Sequence, residues 1–246
     1  FDVAVPGTLP VLNEGAVQKA VLAAAALNCE IENVSRFERK HYCYADLPHG
    51  YQITQQRWPI ARNGNFKNVR INRIQLEMDT GKTITTKRNN ATISRVDLNR
   101  AGCALIEIVT EPDLKSSLEA AQFVQQLRQV LVSTHVCTGK MEQGHLRVDC
   151  NVNIESADET IRTPRVEVKN LNSIQQIQDA IDYEEERQSK EVCEYEETRT
   201  WNPVSGQTEL LRRKDTETDY RFMPEPDLPP LMLTNIIGDV ESFIED

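Results

Sequence analysis

Three stretches of the chain repeat apolar residues every three or four positions, which predicts amphipathic helices. The first ends near Leu27 and has Asn13 as its predicted N-cap. The second opens with the capping box Ser-Ser-Leu-Glu at 116–119, whose side chains satisfy exposed backbone amides. The third begins near Ser173 and is predicted to end in a charged tail at 184–187. We expect the apolar side of each helix to pack against a sheet.

Four other segments contain strand-like apolar runs or alternate apolar with ionisable residues, namely 74–79, 104–109, 147–154 and 164–169. In the first, Gln75, Glu77 and Asp79 point away from the apolar positions between them. In the second, Glu107 is the single charge in an apolar run. The pattern predicts an α+β fold with a largely antiparallel sheet, helices on its apolar face and polar residues on the other.

Composition limits the classes of partner. The 28 Lys and Arg residues against 38 Asp and Glu give a formal net charge of −10, which disfavours nonspecific nucleic-acid binding over the whole surface. Any RNA contact must therefore be local. No run approaches the roughly 20 apolar residues of a membrane helix, so we expect no membrane span. Pro and Gly residues are spread as turn markers, which favours one continuous domain.

The polar sheet face carries the candidate chemistry. A solvated face is the ordinary alternative for any one strand. However, Asp149, Asn151 and Asn153 are poor strand formers within one strand, and such a local cost points to a site. Glu107, between two isoleucines, must be paired, metal-bound or at the sheet rim. Carboxylate oxygens without clustered His or Cys favour Mg²⁺ over Zn²⁺.

Cations accompany these carboxylates, as phosphoryl transfer from a Mg-nucleotide requires. They are Arg39, Lys40, Arg147, Arg165 and Lys169. The chain lacks a P-loop, a dinucleotide-binding glycine motif and a kinase catalytic loop, so phosphates would be bound by side chains on strands. The four histidines lack metal-ligand spacing.

Longer strings carry a resemblance to a known family. They are RFERKHYCYADLPHGYQITQ (36–55), LEMDTGK (76–82), SRVDLNRAGCALIEIVTEPDL (94–114), KMEQGHLRVDCNVNI (140–154), VEVKNLNSIQQIQDAIDYEEERQ (166–188) and DYRFMPEPDLPPL (219–231). In order and spacing the chain resembles the B subunits of the glutamyl-tRNA(Gln) amidotransferases. The resemblance implies a glutamine-synthetase-like cradle domain over residues 1–231, with residues 232–246 beginning a C-terminal helical region.

The resemblance also implies an activity. Such a ligase (glutaminyl-tRNA synthase, glutamine-hydrolysing) uses ATP and Mg²⁺ to phosphorylate the glutamate side chain of Glu-tRNA(Gln). Ammonia that a partner amidase, the A subunit, releases from glutamine then replaces the phosphate, giving Gln-tRNA(Gln) for translation. The implied partners are this amidase, a small third subunit of C type or fungal F type in a heterotrimer, and the acceptor end of the tRNA.

Carried over residue by residue, the resemblance implies three groups of site residues. The metal ligands would be Glu77, Glu107 and Asp149. The catalytic residues would be Lys40, Tyr51, Glu77 and Asp79, with Tyr42, Tyr44, Asp46 and Gln52 lining the same pocket. Arg39, from the cation argument above, and the matched residues Arg147, Asn151, Arg165 and Lys169 would contact the nucleotide or the acceptor end.

The chain departs from the family pattern at several points. Met78 stands where the family has a second Glu, and His49 where it has a Lys. The family's N-terminal G-L-E-[IV]-H strand and its zinc-binding cysteine cluster are absent from these 246 residues. We therefore expect no zinc site and an incomplete Mg²⁺ shell in the chain as given. Divergence at Cys43, Met78 and Met223 favours a fungal mitochondrial member, in the mitochondrial matrix, over one from the bacterial cytoplasm.

Two other functions stay open from the sequence. Met78 and His49 also fit a noncatalytic scaffold that docks tRNA and the partner amidase. A different carboxylate–amine ligase of glutamine-synthetase-like fold, acting on a free amino acid, is the third possibility. The dependence of ATP turnover on tRNA separates these functions.

Overall fold

The structure is a computed structural model of the chain and describes residues 4–88, 91–156, 162–191, 194–213, 219–234 and 236. The chain divides into two compact units, one formed by residues 1–113 with 219–246 and the other by residues 114–218. In chain order the elements are α1 (Glu14–Ala26), β1 (Glu30–Ile31), β2 (Val34–Ser35), β3 (Glu38–His41), β4 (Tyr51–Thr54), β5 (Ala61–Phe66), β6 (Val69–Met78), β7 (Lys82–Arg88), β8 (Ala91–Asp97), β9 (Ala104–Thr110), α2 (Ser117–Ser133), a 3₁₀ turn (Met141–Gln143), β10 (Val148–Val152), β11 (Val166–Leu171), α3 (Ile174–Lys190), β12 (Glu197–Asn202), β13 (Gln207–Arg213), β14 (Met223–Pro224) and β15 (Leu231–Met232).

All three predicted helices are present, and their caps are confirmed. The side-chain oxygen of Asn13 accepts the amide of Ala16 at the start of α1. Ser116 accepts the amide of Glu119 at 3.2 Å at the start of α2. Ser173 does the same for α3. Short polar side chains at these positions satisfy backbone donors that have no partner inside the helix.

The charged stretch at 184–187 lies inside α3 and is partly buried. The helix continues to Lys190, and Glu184 is 0% exposed and Arg187 8% exposed. Residues three and four apart share one side of a helix, so these two charges extend the buried stripe that begins with Ile177 and Ala180. The partners of Glu184 are Arg187 and Gln188 on the same helix together with Thr208 and Arg199, which lie farther along the chain.

The first unit is built on antiparallel sheets. The largest has the strand order β1-β5-β6-β9, and α1 packs against its strands. A second sheet, β14-β3-β4, and a pair, β15-β2, bring the segment that follows residue 218 back to the early strands. The hairpin of β7 and β8 forms a separate two-stranded ribbon. The core consists of the α1 stripe and the apolar face of β6, with Ile71, Ile74 and Leu76.

The second unit has one four-stranded sheet of order β10-β11-β12-β13 with two packed helices. Strands β11 and β12 are parallel, and α3 connects them, as a parallel pair requires a long crossover. The α+β class is confirmed. The strands form several sheets rather than one, and β11–β12 is the parallel pair among the strands that the structure describes.

The prediction of one cradle domain over residues 1–231 stays a prediction, and the structure distinguishes two compact units within that span. Most of the predicted C-terminal helical region at 232–246 lies outside the described residues. No helix in the described part of the chain has both the length and the apolar character needed to cross a membrane.

Candidate functional site

In the first unit, strand β6 extends beyond its neighbour β5 and is completed by glutamine side chains. The register of β5 with β6 ends at Ala61 opposite Ile74. Past that point the amide of Leu76 donates to Oε1 of Gln55 at 2.9 Å. The carbonyl of Met78 accepts Nε2 of Gln52, also at 2.9 Å. These side chains satisfy backbone groups that would otherwise lack partners, so the end of β6 is held in extended form.

Glu77 lies at this end of β6 and is held by neutral donors. Its Oε1 accepts the hydroxyl of Thr54 at 2.6 Å and Nε2 of Gln75 at 2.8 Å. Its Oε2 accepts Nε2 of Gln52 at 3.2 Å. Among the described residues, no Lys or Arg nitrogen forms an ion pair with Glu77. The carboxylate is therefore fixed in position while its negative charge is left without a cation.

Gln75 joins Glu77 to Glu107 on the neighbouring strand. The register of β6 with β9 places Gln75 opposite Glu107, so both side chains lie on one face. Nε2 of Gln75 donates to Oε2 of Glu107 at 2.6 Å as well as to Glu77. Nε of Arg73 donates to Oε1 of Gln75 at 2.7 Å, which fixes the orientation of the amide. One buried amide nitrogen thus contacts two carboxylates.

The outcome for Glu107 combines two of the expected environments. Its strand β9 is at the edge of the sheet, and the residue is exposed and bonded to Gln75. Mg²⁺ is usually held by one or two carboxylates, with phosphate oxygens and water completing six ligands. Glu77 and Glu107 fit that requirement, because they offer hard oxygens close together with no cation paired to Glu77.

Lys40 lies beside this cluster in an aromatic setting. The pairing of β3 with β4 places Lys40 opposite Gln52. Its Nζ is 4.7 Å from the ring centre of Tyr220 and 5.7 Å from that of Tyr42, within the range of cation–π attraction. The hydroxyl of Tyr42 donates to Oε1 of Gln52 at 3.2 Å. Tyr42 and Gln52 therefore link Lys40 to Glu77, because the Tyr42 ring contacts the ammonium group and Gln52 donates to the Glu77 carboxylate.

The Tyr42 hydroxyl stays protonated in this setting. Burial raises its pKa, and the negative charges of Glu77 and Asp46 raise it further. Tyr44 packs edge-on against Tyr42 at 5.6 Å between ring centres. The four lining residues carried over by the resemblance, Tyr42, Tyr44, Asp46 and Gln52, therefore lie in one neighbourhood of the first unit.

Arg39 and Tyr51 form a neighbouring group with the segment near Pro224. The Arg39 guanidinium stacks 4.2 Å from the Tyr51 ring centre. Its Nε donates to the buried Glu225 at 2.7 Å, and Nη2 contacts Asp227 at 3.1 Å. A bidentate pair with a buried carboxylate holds a guanidinium firmly. The structure thus gives Arg39 two carboxylate partners within the chain, while its predicted contact with a nucleotide stays a prediction.

Asp79 stabilises the corner after β6. One of its oxygens accepts the amide of Thr80 at 2.8 Å, and the other lies 3.2 Å from Nε of Arg100. Arg100 also donates to the carbonyls of Thr80 and Gly81. The structure therefore places Asp79 in a partly exposed ion pair at a turn, close in sequence to Glu77 but with partners of its own.

The remaining predicted residues lie in the second unit, where carboxylates and cations are paired. Nζ of Lys169 is 2.8 Å from Asp149 and 2.9 Å from Glu167. Burial lowers the pKa of Lys169, but the two carboxylates outweigh burial and raise it overall. Arg165 contacts Glu196 at 3.1 Å on the surface. The alternation predicted for β10 and β11 is confirmed, and Arg147 and Asn151 are exposed.

The predicted metal ligands are thus distributed over both units. Glu77 and Glu107 share one amide in the first unit, and Asp149 belongs to the second. Within the described ranges, three or more His, Cys, Asp or Glu side chains do not gather in a metal-binding cluster.

Sequence reasoning did not select Thr54, Gln75 and Tyr220 as site residues. Gln75 was already on the polar face of the predicted strand, so its alternation with Glu77 was an available signal. Thr54 and Tyr220 fall in quoted strings, but only the fold reveals that Tyr220 reaches Lys40.

A family model for the GatB/GatE catalytic domain matches residues 1–238. The chain belongs to this family. It is 46% identical over 252 residues to the human mitochondrial protein named as the B subunit of glutamyl-tRNA(Gln) amidotransferase, covering 95% of this chain and 45% of that protein. It is 45% identical to the chloroplastic/mitochondrial B subunit of Ostreococcus tauri, over 99% of this chain and 50% of that protein.

Bacterial relatives are equally similar. A protein of a Wolbachia strain, named as the B subunit of aspartyl/glutamyl-tRNA(Asn/Gln) amidotransferase, is 48% identical over 94% of this chain and 50% of its own length. The chain therefore spans about half the length of the curated relatives it matches. The resemblance found in the sequence is confirmed at the level of the family, and a fungal origin stays a prediction.

Proposed function

We propose that this chain is the catalytic domain of the B subunit of a tRNA-dependent amidotransferase. In this proposal it uses ATP and Mg²⁺ to phosphorylate the glutamate side chain of Glu-tRNA(Gln), and ammonia then displaces the phosphate. The observation that carries the proposal is the pair of carboxylates, Glu77 and Glu107, bridged by the Gln75 amide. Membership of the family supports the proposed reaction, and the cluster supports the proposed place for it.

The roles of the first-unit residues follow from their contacts. Glu77 and Glu107 would hold Mg²⁺, which when bound neutralises charge on the phosphates. Asp149, in the second unit, stays a predicted ligand. Gln52, Thr54 and Gln75 fix the direction of the Glu77 oxygens. Preorganised groups of this kind lower the barrier because they need not reorient during the reaction.

Lys40 would stabilise negative charge on the transferring phosphoryl group or on the glutamate carboxylate. Its ammonium group lies against two tyrosine rings, and no described carboxylate forms an ion pair with it, which supports an anionic ligand from outside the chain. Tyr51 and Asp79 would act by position, since their contacts hold Arg39 and the turn after β6. The nucleotide or the acceptor end is proposed to contact Arg147, Asn151, Arg165 and Lys169. Arg39 is proposed to support the site through its ion pairs with Glu225 and Asp227.

The partners proposed for the intact protein are an amidase, the A subunit, which releases ammonia from glutamine, and a small third subunit. The reaction is that of a glutamine-hydrolysing glutaminyl-tRNA synthase. The proposed location is the mitochondrial matrix, with the bacterial cytoplasm as the alternative, because relatives of both kinds are equally similar.

The scaffold alternative rested on Met78 and His49, and the register of β6 weakens the argument from Met78. Met78 pairs with Ala104, whereas Glu77 pairs with Leu105, so the two side chains point to opposite faces of the sheet. A residue at position 78 therefore does not belong to the face that carries Glu77 and Glu107. The Met in place of the family's Glu leaves the bridged pair intact.

The test uses the full-length protein in its reconstituted complex. Glu107→Gln and Asp149→Asn should each abolish ATP-dependent conversion of Glu-tRNA(Gln) to Gln-tRNA(Gln) while glutaminase activity stays detectable. Glu209→Gln, at an exposed carboxylate bonded to Asn202, is the matched control and should keep full activity. Full amidation by both site variants would refute the assignment.

A second measurement addresses the scaffold. ATP hydrolysis that Glu-tRNA(Gln) stimulates, and that is absent from complexes lacking this protein, would exclude a noncatalytic role. A free glutamate substrate in place of Glu-tRNA(Gln) distinguishes the third alternative, since a ligase acting on the amino acid would need no tRNA.

A further inference from the structure

The hairpin of β7 and β8 is firmly attached at its base. Its strands pair from Lys82 opposite Asp97 to Arg88 opposite Ala91. Thr83 donates its hydroxyl to Asp46 at 3.0 Å, and the amide of Gly81 donates to the carbonyl of Asp46 at 2.9 Å. A Cβ on Gly81 would lie 2.8 Å from the carbonyl oxygen of Asp97, so the strands close too tightly there for a side chain.

Beyond the base, the hairpin is exposed on both faces. Apart from Ile93, every side chain described in β7 and β8 is exposed, including Ile84 and Val96 at 42% each. A two-stranded ribbon without a covered face gains little stability from its own packing. The hairpin therefore contributes little to the core and presents its side chains outward.

The charge of the hairpin is opposite to that of the whole chain. Residues 82–97 contain four basic residues and one acidic residue, in a protein with a formal net charge of −10. Lys82, Lys87 and Arg95 are exposed, and none of the carboxylates that the structure describes forms an ion pair with them. A local set of unneutralised cations is the footprint of a polyanionic partner.

The side chains between these cations favour RNA over a protein surface. Thr85 and Ser94 lie opposite each other with their hydroxyls exposed, and hydroxyls donate readily to phosphate oxygens. The two exposed apolar residues do not form a patch. Ile84 pairs with Arg95 and Val96 pairs with Thr83, so Ile84 and Val96 point to opposite faces of the ribbon.

We propose that the β7–β8 hairpin binds the phosphate backbone of the tRNA that carries the substrate amino acid. This inference rests on the proposed function for the identity of the RNA. The hairpin has no aromatic side chain for stacking on bases, so the contact is to phosphates and is independent of base sequence. It is the local RNA contact that a chain with an acidic overall charge requires.

The experiment measures binding of an unacylated tRNA(Gln) transcript to the full-length reconstituted complex at several salt concentrations. The variant carries Lys82→Gln, Lys87→Gln and Arg95→Gln. The control carries Lys19→Gln, Lys67→Gln and Lys115→Gln, three exposed lysines outside the hairpin. We expect the hairpin variant to bind about tenfold or more weakly near 0.1 M salt, and the slope of log affinity against log salt to become shallower by about two to three.

Unchanged affinity together with an unchanged salt slope would overturn the proposal. So would a variant that keeps its RNA affinity but loses a partner protein on gel filtration, because the hairpin would then be a protein-docking element. Failure of the proposed function is distinguishable, since Glu107→Gln tests catalysis and is not expected to alter RNA affinity. Weaker RNA binding by the hairpin variant supports the hairpin contact whatever Glu107→Gln does.

Discussion

Two glutamates, Glu77 in the first unit and Glu184 in the second, show what a protein does with a carboxylate inside a fold. Glu184 is fully buried and accepts bonds from Arg187 at 2.8 Å, Gln188 at 3.0 Å and Thr208, with Arg199 at 3.3 Å. Glu77 has three neutral donors and no described cation. The first arrangement completes its own charge balance, whereas the second leaves charge available for an ion.

The candidate site differs in the same way from the network of buried ion pairs in the second unit. The buried group in the second unit contains two carboxylates and two guanidiniums, since Glu197 also contacts Arg187 and Arg199. A buried charge must be paired to be tolerated. In the first unit, no Lys or Arg among the described residues forms an ion pair with Glu77, and Glu107 is exposed at a sheet edge.

The largest expected effect of a substitution on stability is at Glu184. Glu184→Gln removes the charge that two buried guanidiniums face, and breaking a buried pair from one side costs about 3–5 kcal/mol. Chemical denaturation monitored by circular dichroism measures the loss. Glu186→Gln, on the exposed side of the same helix, is the control and should change the free energy of unfolding by less than about 0.5 kcal/mol. Equal losses for the two variants would mean that the network does not stabilise the fold.

For Glu77→Gln we expect a small loss of stability and a large loss of activity. We expect a loss of about 1–2 kcal/mol in stability, because neutral donors can still bond to the amide oxygen. Amidation by the reconstituted complex should fall by about 10²–10³-fold, the usual cost of removing one preorganised electrostatic group. An enzyme that is destabilised like Glu184→Gln but still active would place Glu77 among structural residues.

The sequence predicted the polar positions of the candidate site, but it did not predict the burial of Glu184. Alternation placed Gln75 and Glu77 on a polar face, and Glu107 was the single charge in an apolar run. Capping residues located all three helices. The pattern did not reveal that Glu184 is buried, because two of its partners, Arg199 and Thr208, are distant in sequence. Nor could it show the parallel pairing of β11 with β12, since a strand alternates in the same way whichever direction its neighbour runs.

Long-range pairing limited the prediction of the site in the same way. Met223 pairs with Arg39, which brings Tyr220 to Lys40 and Glu225 to Arg39. Nothing local in sequence announces these neighbours. The resemblance identified which segments matter, and the structure shows how they contact each other within each unit.

The position of Lys40 can be tested through Tyr220. Tyr220→Leu removes a ring that attracts the ammonium group, an interaction of about 0.5–2 kcal/mol. We expect kcat for amidation to fall about 3–30-fold with a smaller change in KM. Tyr220→Phe keeps the ring and should restore most of the activity. If Phe and Leu are equally impaired, the hydroxyl rather than the ring face is what matters.

The smallest expected effect is the pH dependence of the buried network. Burial alone would raise the pKa of Glu184, but bonds from Arg187, Thr208 and Gln188 outweigh it and lower the pKa below the ordinary 4.5. A lowered folded pKa contributes stability that is present above 4.5 and is lost as the pH falls through the folded value. Unfolding free energies between about pH 6 and pH 3 should fall more steeply for the wild type than for Glu184→Gln. Parallel curves would contradict this.

The central claim is that Glu77 and Glu107, which share the Gln75 amide, provide oxygens for a divalent cation. The most direct measurement is binding of Mn²⁺, as a probe for Mg²⁺, to the full-length complex with ATP present, followed by electron paramagnetic resonance. We predict that the double variant Glu77→Gln, Glu107→Gln loses the bound Mn²⁺ while its circular dichroism spectrum is unchanged. The control variant Glu209→Gln should bind Mn²⁺ as the wild type does. Equal Mn²⁺ affinity in the double variant and the wild type would contradict the account.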